Sequence, residues 1–203
     1  MADVAVVLLT LAAVSGCSHH AARQQQAPRP ITFGLDGRIG PLRVDVSDRR
    51  DVISFLGRPE AERRARTTQE DFAPNIPYDA LGYGCGANAG VDAMPLVHGG
   101  PRCRTTFFID RRGRLGLFYT IQTRYVERHG VRIGMPTATA ERLLRNRVRA
   151  GCLVDIFLSS PHATLTVSFD GGTIRHNGSL HGGHVSILVL HGLHHNIGLF
   201  ECM

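Results

Sequence analysis

A short pattern occurs twice in this chain, and its recurrence narrows the folds open to it. Ile39-Gly40-Pro41 leads to Ser47-Asp48-Arg49-Arg50-Asp51-Val52-Ile53-Ser54-Phe55-Leu56. Ile133-Gly134-Met135-Pro136 leads to Thr137-Ala138-Thr139-Ala140-Glu141-Arg142-Leu143-Leu144, and Thr137 stands 90 positions after Ser47. In the first copy Ser47 is the expected N-cap, Asp48 and Asp51 favour the first helical turn, and Val52, Ile53 and Leu56 share one face. Gly57 and Pro59 stop that helix. In the second copy Thr137 or Thr139 is the expected cap, with Leu143 and Leu144 facing inward.

Strand signals follow each helix. Thr105–Asp110 and Arg114–Thr120 flank a polar Arg111-Arg112-Gly113 turn, which predicts a β-hairpin. Ala163–Phe169 alternates and meets Asp170-Gly171-Gly172, a turn signal. His184–His191 reads as a further strand, and Ile197-Gly198-Leu199-Phe200 echoes Leu115-Gly116-Leu117-Phe118. The expected fold class is therefore α+β: two tandem small units, residues 31–128 and 129–203, each with helices packed on an antiparallel β-sheet. Residues 64–80 and 86–100 read as long irregular loops.

The segment before residue 31 reads differently. Ala2 to Val14 is almost wholly apolar and ends in Val14-Ser15-Gly16-Cys17. Spanning a bilayer takes about 20 residues, so this run has instead the length of a signal-peptide core. Val14–Cys17 looks like a bacterial lipobox: an aliphatic residue, two small residues that suit a peptidase pocket, and a thiol to receive lipid. Residues 1–17 are expected to be a lipoprotein signal peptide, with Cys17 as the lipidated mature N-terminus. Asp3, with no arginine before Arg23, departs from the positive start of such a signal; either the true start lies upstream or the signal is a poor one. Residues 18–30 are Gln- and Pro-rich, without hydrophobic period, and read as a flexible tether.

An exported chain meets an oxidising compartment. Besides Cys17 there are four cysteines, Cys85, Cys103, Cys152 and Cys202. An even number suggests two disulfides with three pairings open. Pairing within each unit favours Cys85–Cys103 and Cys152–Cys202. Histidines crowd the C-terminal end, and His184, His191 and His195 are the candidate metal ligands, since imidazole suits Zn, Cu or Ni. No carboxylate is spaced as a co-ligand, and His-Gly-Gly-His reads equally as a polar turn.

Net charge is +6, carried by 23 basic residues that are all arginine. They are scattered and interleaved with acids, without the dense basic run and aromatics that mark a nucleic-acid surface. The Gly-x-Ser-x-Gly elbow, His-Glu-x-x-His, the P-loop and the dinucleotide fingerprint are all missing from the sequence. Gly82-Tyr83-Gly84-Cys85-Gly86 is glycine-rich but lacks the lysine and helix of a phosphate loop, and reads as a tight turn beside a disulfide. Cys85 and His98 could form a thiol–imidazole pair only if Cys85 were unbridged.

The Gly134-Met135 approach to Thr137 and Leu143, and the Leu56-Gly57-Arg58-Pro59 helix stop, resemble the pattern of the SmpA/BamE lipoproteins and the β-lactamase inhibitor protein family. The second unit departs from it, with Asn146-Arg147-Val148 where a Gly-x-Pro stop would stand. The resemblance implies a helical hairpin on an antiparallel sheet, in tandem, serving as a protein-binding scaffold. The expected function is a non-catalytic protein-binding module, exported and lipid-anchored in the cell envelope, with an envelope or extracellular protein as partner, no cofactor and no nucleic acid. A metal-binding envelope protein and an enzyme with an unrecognised site are the alternatives.

Overall fold

The computed structural model describes residues 29–64, 79–90, 93–95, 101–150 and 154–193. The chain opens with β1 (Ile31–Phe33), β2 (Arg38–Ile39), β3 (Leu42–Arg43), helix α1 (Arg49–Leu56) and β4 (Ala61–Arg63). Next come β5 (Asp79–Cys85), β6 (Met94–Pro95), β7 (Arg102–Ile109), β8 (Leu115–Thr120) and β9 (Tyr125–Glu127). Helix α2 (Thr137–Leu144) precedes β10 (Arg149–Ala150), β11 (Val154–Ser159) and β12 (Thr164–Asp170). The short pair β13 (Thr173–Ile174) and β14 (Leu180–His181) then leads to β15 (His184–His191).

The expectation of two tandem α+β units is overturned. Strand dominates the described residues, and the two helices are eight residues each. Strands from both halves of the chain share one nine-stranded sheet, ordered β10-β11-β12-β15-β8-β7-β5-β4, with β6 beside β7. The seam is β15 against β8, antiparallel, with Leu188 opposite Thr120 and Leu190 opposite Phe118. The helical hairpin on its own sheet that the family resemblance implies is not what the chain builds.

The physical reason lies in β8 and β15. Every residue of β8 is buried, and Ile187–Leu190 of β15 is a continuous apolar run. Such runs belong to strands covered on both faces. An uncovered β8 edge would leave a row of unpaired backbone groups beside large apolar side chains. Pairing β8 with β15 satisfies both and merges the halves.

One sheet face carries the main core. Phe118 is its hub: its ring lies 5.5 Å from Phe33, 5.1 Å from Phe107 and 4.9 Å from Tyr125. Above it sits a four-stranded sheet, β3-β2-β1-β9, in which β1 and β9 run parallel with Ile31 opposite Tyr125. Val52 of α1 and Ala140 and Leu144 of α2 join the same core. The other face has a smaller cluster of Ala80, Cys103, Phe108, Leu117, Tyr119 and Val189.

Helix starts differ from expectation by one residue each. Asp48, not Ser47, caps α1: its carboxylate accepts the Arg50 and Asp51 N–H groups at 2.7 and 3.0 Å. Asp51 returns a bond to the Asp48 N–H at 2.9 Å, closing a reciprocal box. These bonds, the one from Asp51 foremost, hold the Asp48 carboxyl below its ordinary pKa. Ser47 is instead buried, its hydroxyl accepting the Arg43 N–H at 3.0 Å. At α2 the cap position is Pro136, and no side chain caps the helix.

Candidate functional site

The cysteine pairing can be read first. Cys85 and Cys103 are directly opposed on β5 and β7, with Cα atoms 4.0 Å apart, and they form a disulfide. This bridge excludes the Cys85 thiol from pairing with His98, which lies outside the described residues. Cys17, Cys152, Cys202 and His195 also lie outside the described residues, as does Ile197–Phe200.

The candidate metal ligands His184 and His191 do not converge. They occupy opposite ends of β15, opposite Asp170 and Thr164 of β12. Seven steps of extended chain separate them by about 23 Å, too far to share an ion. Among the described residues no group of three or more His, Cys, Asp or Glu side chains could hold a metal.

Two aspartates at strand ends are structural. Asp110 closes the β7–β8 turn, accepting the Arg112 and Arg114 N–H groups at 2.9 and 2.8 Å and Arg112 Nε at 3.0 Å. Burial pushes its pKa up, but the bonds from Arg114 and Arg112 outweigh that and hold it below the ordinary value. Asp170 accepts the N–H of Gly171 at 2.7 Å in its own turn. Asp155 differs: it is buried, and neither oxygen accepts a hydrogen bond.

The glycine-rich run Gly82–Gly86 is not a turn beside the bridge as expected; Gly82 to Cys85 belong to β5. The N–H groups of Gly84 and Cys85 both point at Glu60, whose carboxylate accepts them at 3.0 and 2.7 Å. The anion on this backbone is therefore the chain's own.

Next to it, at the end of the sheet where β5 finishes and β7 begins, lies a feature no motif announced. A cleft of 300 Å³ is lined by Gly84, Arg104 and the Ile121–Arg124 turn. It shares Thr123 with a cleft of 660 Å³ lined by Arg132–Pro136 and Thr139. Together they make a groove with three arginines, Arg104, Arg124 and Arg132, and no lining carboxylate. Arg124 is held in place: its guanidinium lies 4.9 Å from the Tyr125 ring centre, and its Nη2 donates to the Tyr125 hydroxyl at 2.9 Å. Its Nε is buried and has no acceptor. Arg104 Nε donates to the Ala89 carbonyl at 3.1 Å, which anchors one side of that guanidinium.

The groove's far wall is equally well tied. Gly134 N–H donates to the Val185 carbonyl, and Val185 N–H to the Met135 carbonyl, each at 2.8 Å. The Gly134-Met135 motif thus docks its loop on the start of β15. Such a wall presents a fixed surface, and Arg132 in it, with Arg104 and Arg124 in the adjoining cleft, gives the groove positive sign. Chemically it suits recognition of an anionic group by paired, charge-assisted hydrogen bonds. The three arginines are unmarked by any motif, so sequence reasoning missed them, although Arg104 and Arg124 flank the predicted β7–β8 hairpin.

No family model and no curated protein matches this chain. Among solved structures it is similar to the uncharacterized protein yfeY from Escherichia coli, at 13% sequence identity and a TM-score of 0.45, over 80% of this chain and 99% of that one.

Proposed function

We propose that this chain is an exported, lipid-anchored envelope protein that acts as a non-catalytic protein-binding module, with the groove at the disulfide end of the sheet as its binding surface. The observation that carries the reading is the groove's charge: three arginines, two of them held by hydrogen bonds, and no lining acid. That surface favours an acidic segment of a partner protein. The Cys85–Cys103 bridge supports an oxidising compartment, and Val14–Cys17 supports lipid attachment.

Two measurements test the two parts. Labelling cells with a clickable palmitate analogue should mark the chain and fail to mark Cys17→Ser; equal labelling sinks the anchor. Fluorescence polarisation with a labelled hexaglutamate peptide should show binding that weakens with salt. Arg104→Gln with Arg132→Gln should reduce it at least about tenfold, since each lost charge-assisted bond is worth about 1.5–3 kcal/mol. Unchanged binding would remove the groove from the reading.

A further inference from the structure

We infer a second ligand site, separate from the groove, at the C-terminal end of α2: a cleft in which Arg142, Arg145 and Arg147 take an oxyanion of the phosphate class. The cleft measures 540 Å³ and is lined by Ala138, Glu141, Arg142, Arg145, Asn146 and Arg147. None of these residues lines the groove described above.

The convergence comes from how α2 ends. Arg142 lies in the last turn of α2, and Arg145 is the residue that ends it. Arg145 then takes the left-handed conformation, φ 51° and ψ 34°, with its N–H bonded back to the Glu141 carbonyl. A non-glycine residue seldom adopts that conformation. Here it turns the chain so that Arg147 lines the same cleft. Two bonds secure the reversal: Val148 N–H to Glu141 Oε1 and Arg147 N–H to Asn146 Oδ1, each at 2.9 Å.

The charge balance points outward. Some surface arginines of this chain have acid partners: Arg112 with Asp110 at 3.0 Å, Arg128 with Asp36 at 2.6 Å, and Arg49 with Glu62. Among the described residues no carboxylate pairs with Arg142, Arg145 or Arg147. Glu141 is the one acid in the lining, and its Oε1 is engaged by the backbone. Three exposed guanidiniums crowd one concavity and repel each other. A phosphate ester answers this arrangement better than a carboxylate does. It brings up to two negative charges and three acceptor oxygens, and guanidinium forks match phosphate geometry two bonds at a time. A lipid headgroup and a soluble phosphate share this chemistry.

The test uses the full chain carrying Cys17→Ser, so that no acyl group brings it to lipid. It is titrated with inorganic phosphate, and separately with vesicles of phosphatidic acid, a phosphomonoester, in phosphatidylcholine against phosphatidylcholine alone. Arg142→Gln with Arg147→Gln should weaken the response at least about tenfold. Arg50→Gln with Arg58→Gln removes two charges from exposed positions elsewhere and should leave it unchanged. A response to inorganic phosphate assigns a soluble ligand, and one confined to phosphatidic acid assigns a headgroup. Equal loss in both double variants would reduce the effect to net charge and overturn the site, as would no response to either probe. If the first double variant fails to fold, Arg147→Gln alone, beyond the helix, gives the same reading.

Discussion

Asp155 on β11 lies directly opposite Ser168 on β12, and both side chains are buried. Burial pushes the Asp155 carboxyl above its ordinary pKa; the Ser168 hydroxyl pulls weakly the other way but makes no hydrogen bond of normal geometry. The folded chain therefore holds this proton more tightly than the unfolded chain. Its stability is fullest below the ordinary aspartate pKa and declines as pH rises through the raised value. Asp155→Asn removes the charge and keeps the shape. It should raise the urea midpoint at pH 7 and flatten the profile above the ordinary aspartate pKa. A variant less stable at pH 7 than the parent would show that Asp155 is ionised and paired.

The Cys85–Cys103 bridge joins residues 18 apart in sequence. Cross-linking a loop of that length restricts the unfolded chain by about 3 kcal/mol in the chain-entropy account. Replacing both cysteines with alanine should cost about that much in denaturant unfolding. Reductant should lower the parent's stability by at least that much and narrow the gap between the parent and the double variant.

Tyr83 links the helix stop to the sheet. Its hydroxyl donates to the Gly57 carbonyl at 3.1 Å, and its ring lies 5.9 Å from Phe107. Burial, aided by Tyr125 and Glu62, raises its pKa to about 12. The sign follows: this contribution is complete below the ordinary value of 10.0 and is lost as pH rises through the folded value. Ultraviolet titration should show a phenol ionising at about pH 12 that is lost in Tyr83→Phe, while the Tyr125 phenol, which burial also raises, still ionises late in that variant. That variant should lose about 1 kcal/mol with the hydrogen bond.

The glycines around β13 and β14 are not equivalent. Gly183 has φ +80°, and a methyl group there would run into the carbonyl oxygen of Gly171. Gly178 has φ +76°, but a methyl group there would meet nothing within 4 Å. Gly178→Ala should cost only the backbone strain, about 1 kcal/mol. Gly183→Ala should cost clearly more, because backbone must move. Equal melting temperatures for the two variants would contradict the tight crossing of Gly171 and Gly183.

What could be read along the chain is what neighbouring residues decide among themselves. The α1 stop at Gly57, the β7–β8 hairpin and the strands Thr164–Asp170 and His184–His191 all follow from local periodicity and turn chemistry. The Cys85–Cys103 pairing was legible because its partners lie on strands linked within one half of the chain. The caps slipped by a residue because Ser47 and Asp48 compete for one role, and the hydrogen bond to Arg43 removes Ser47 from it.

Tertiary structure alone decided the pairing of β15 with β8, and with it the single large sheet. An apolar strand carries no mark of its partner; any free edge satisfies its backbone, and the choice falls to whichever pairing buries the most on both faces. Long-range packing also left Asp155 buried without a hydrogen-bond donor, and the docking of the Gly134–Met135 loop on β15 set Arg132 beside Arg104 and Arg124 at the end of the β7–β8 hairpin. Residues distant in sequence meet only once the sheet order is set, so no local spacing could announce these sites.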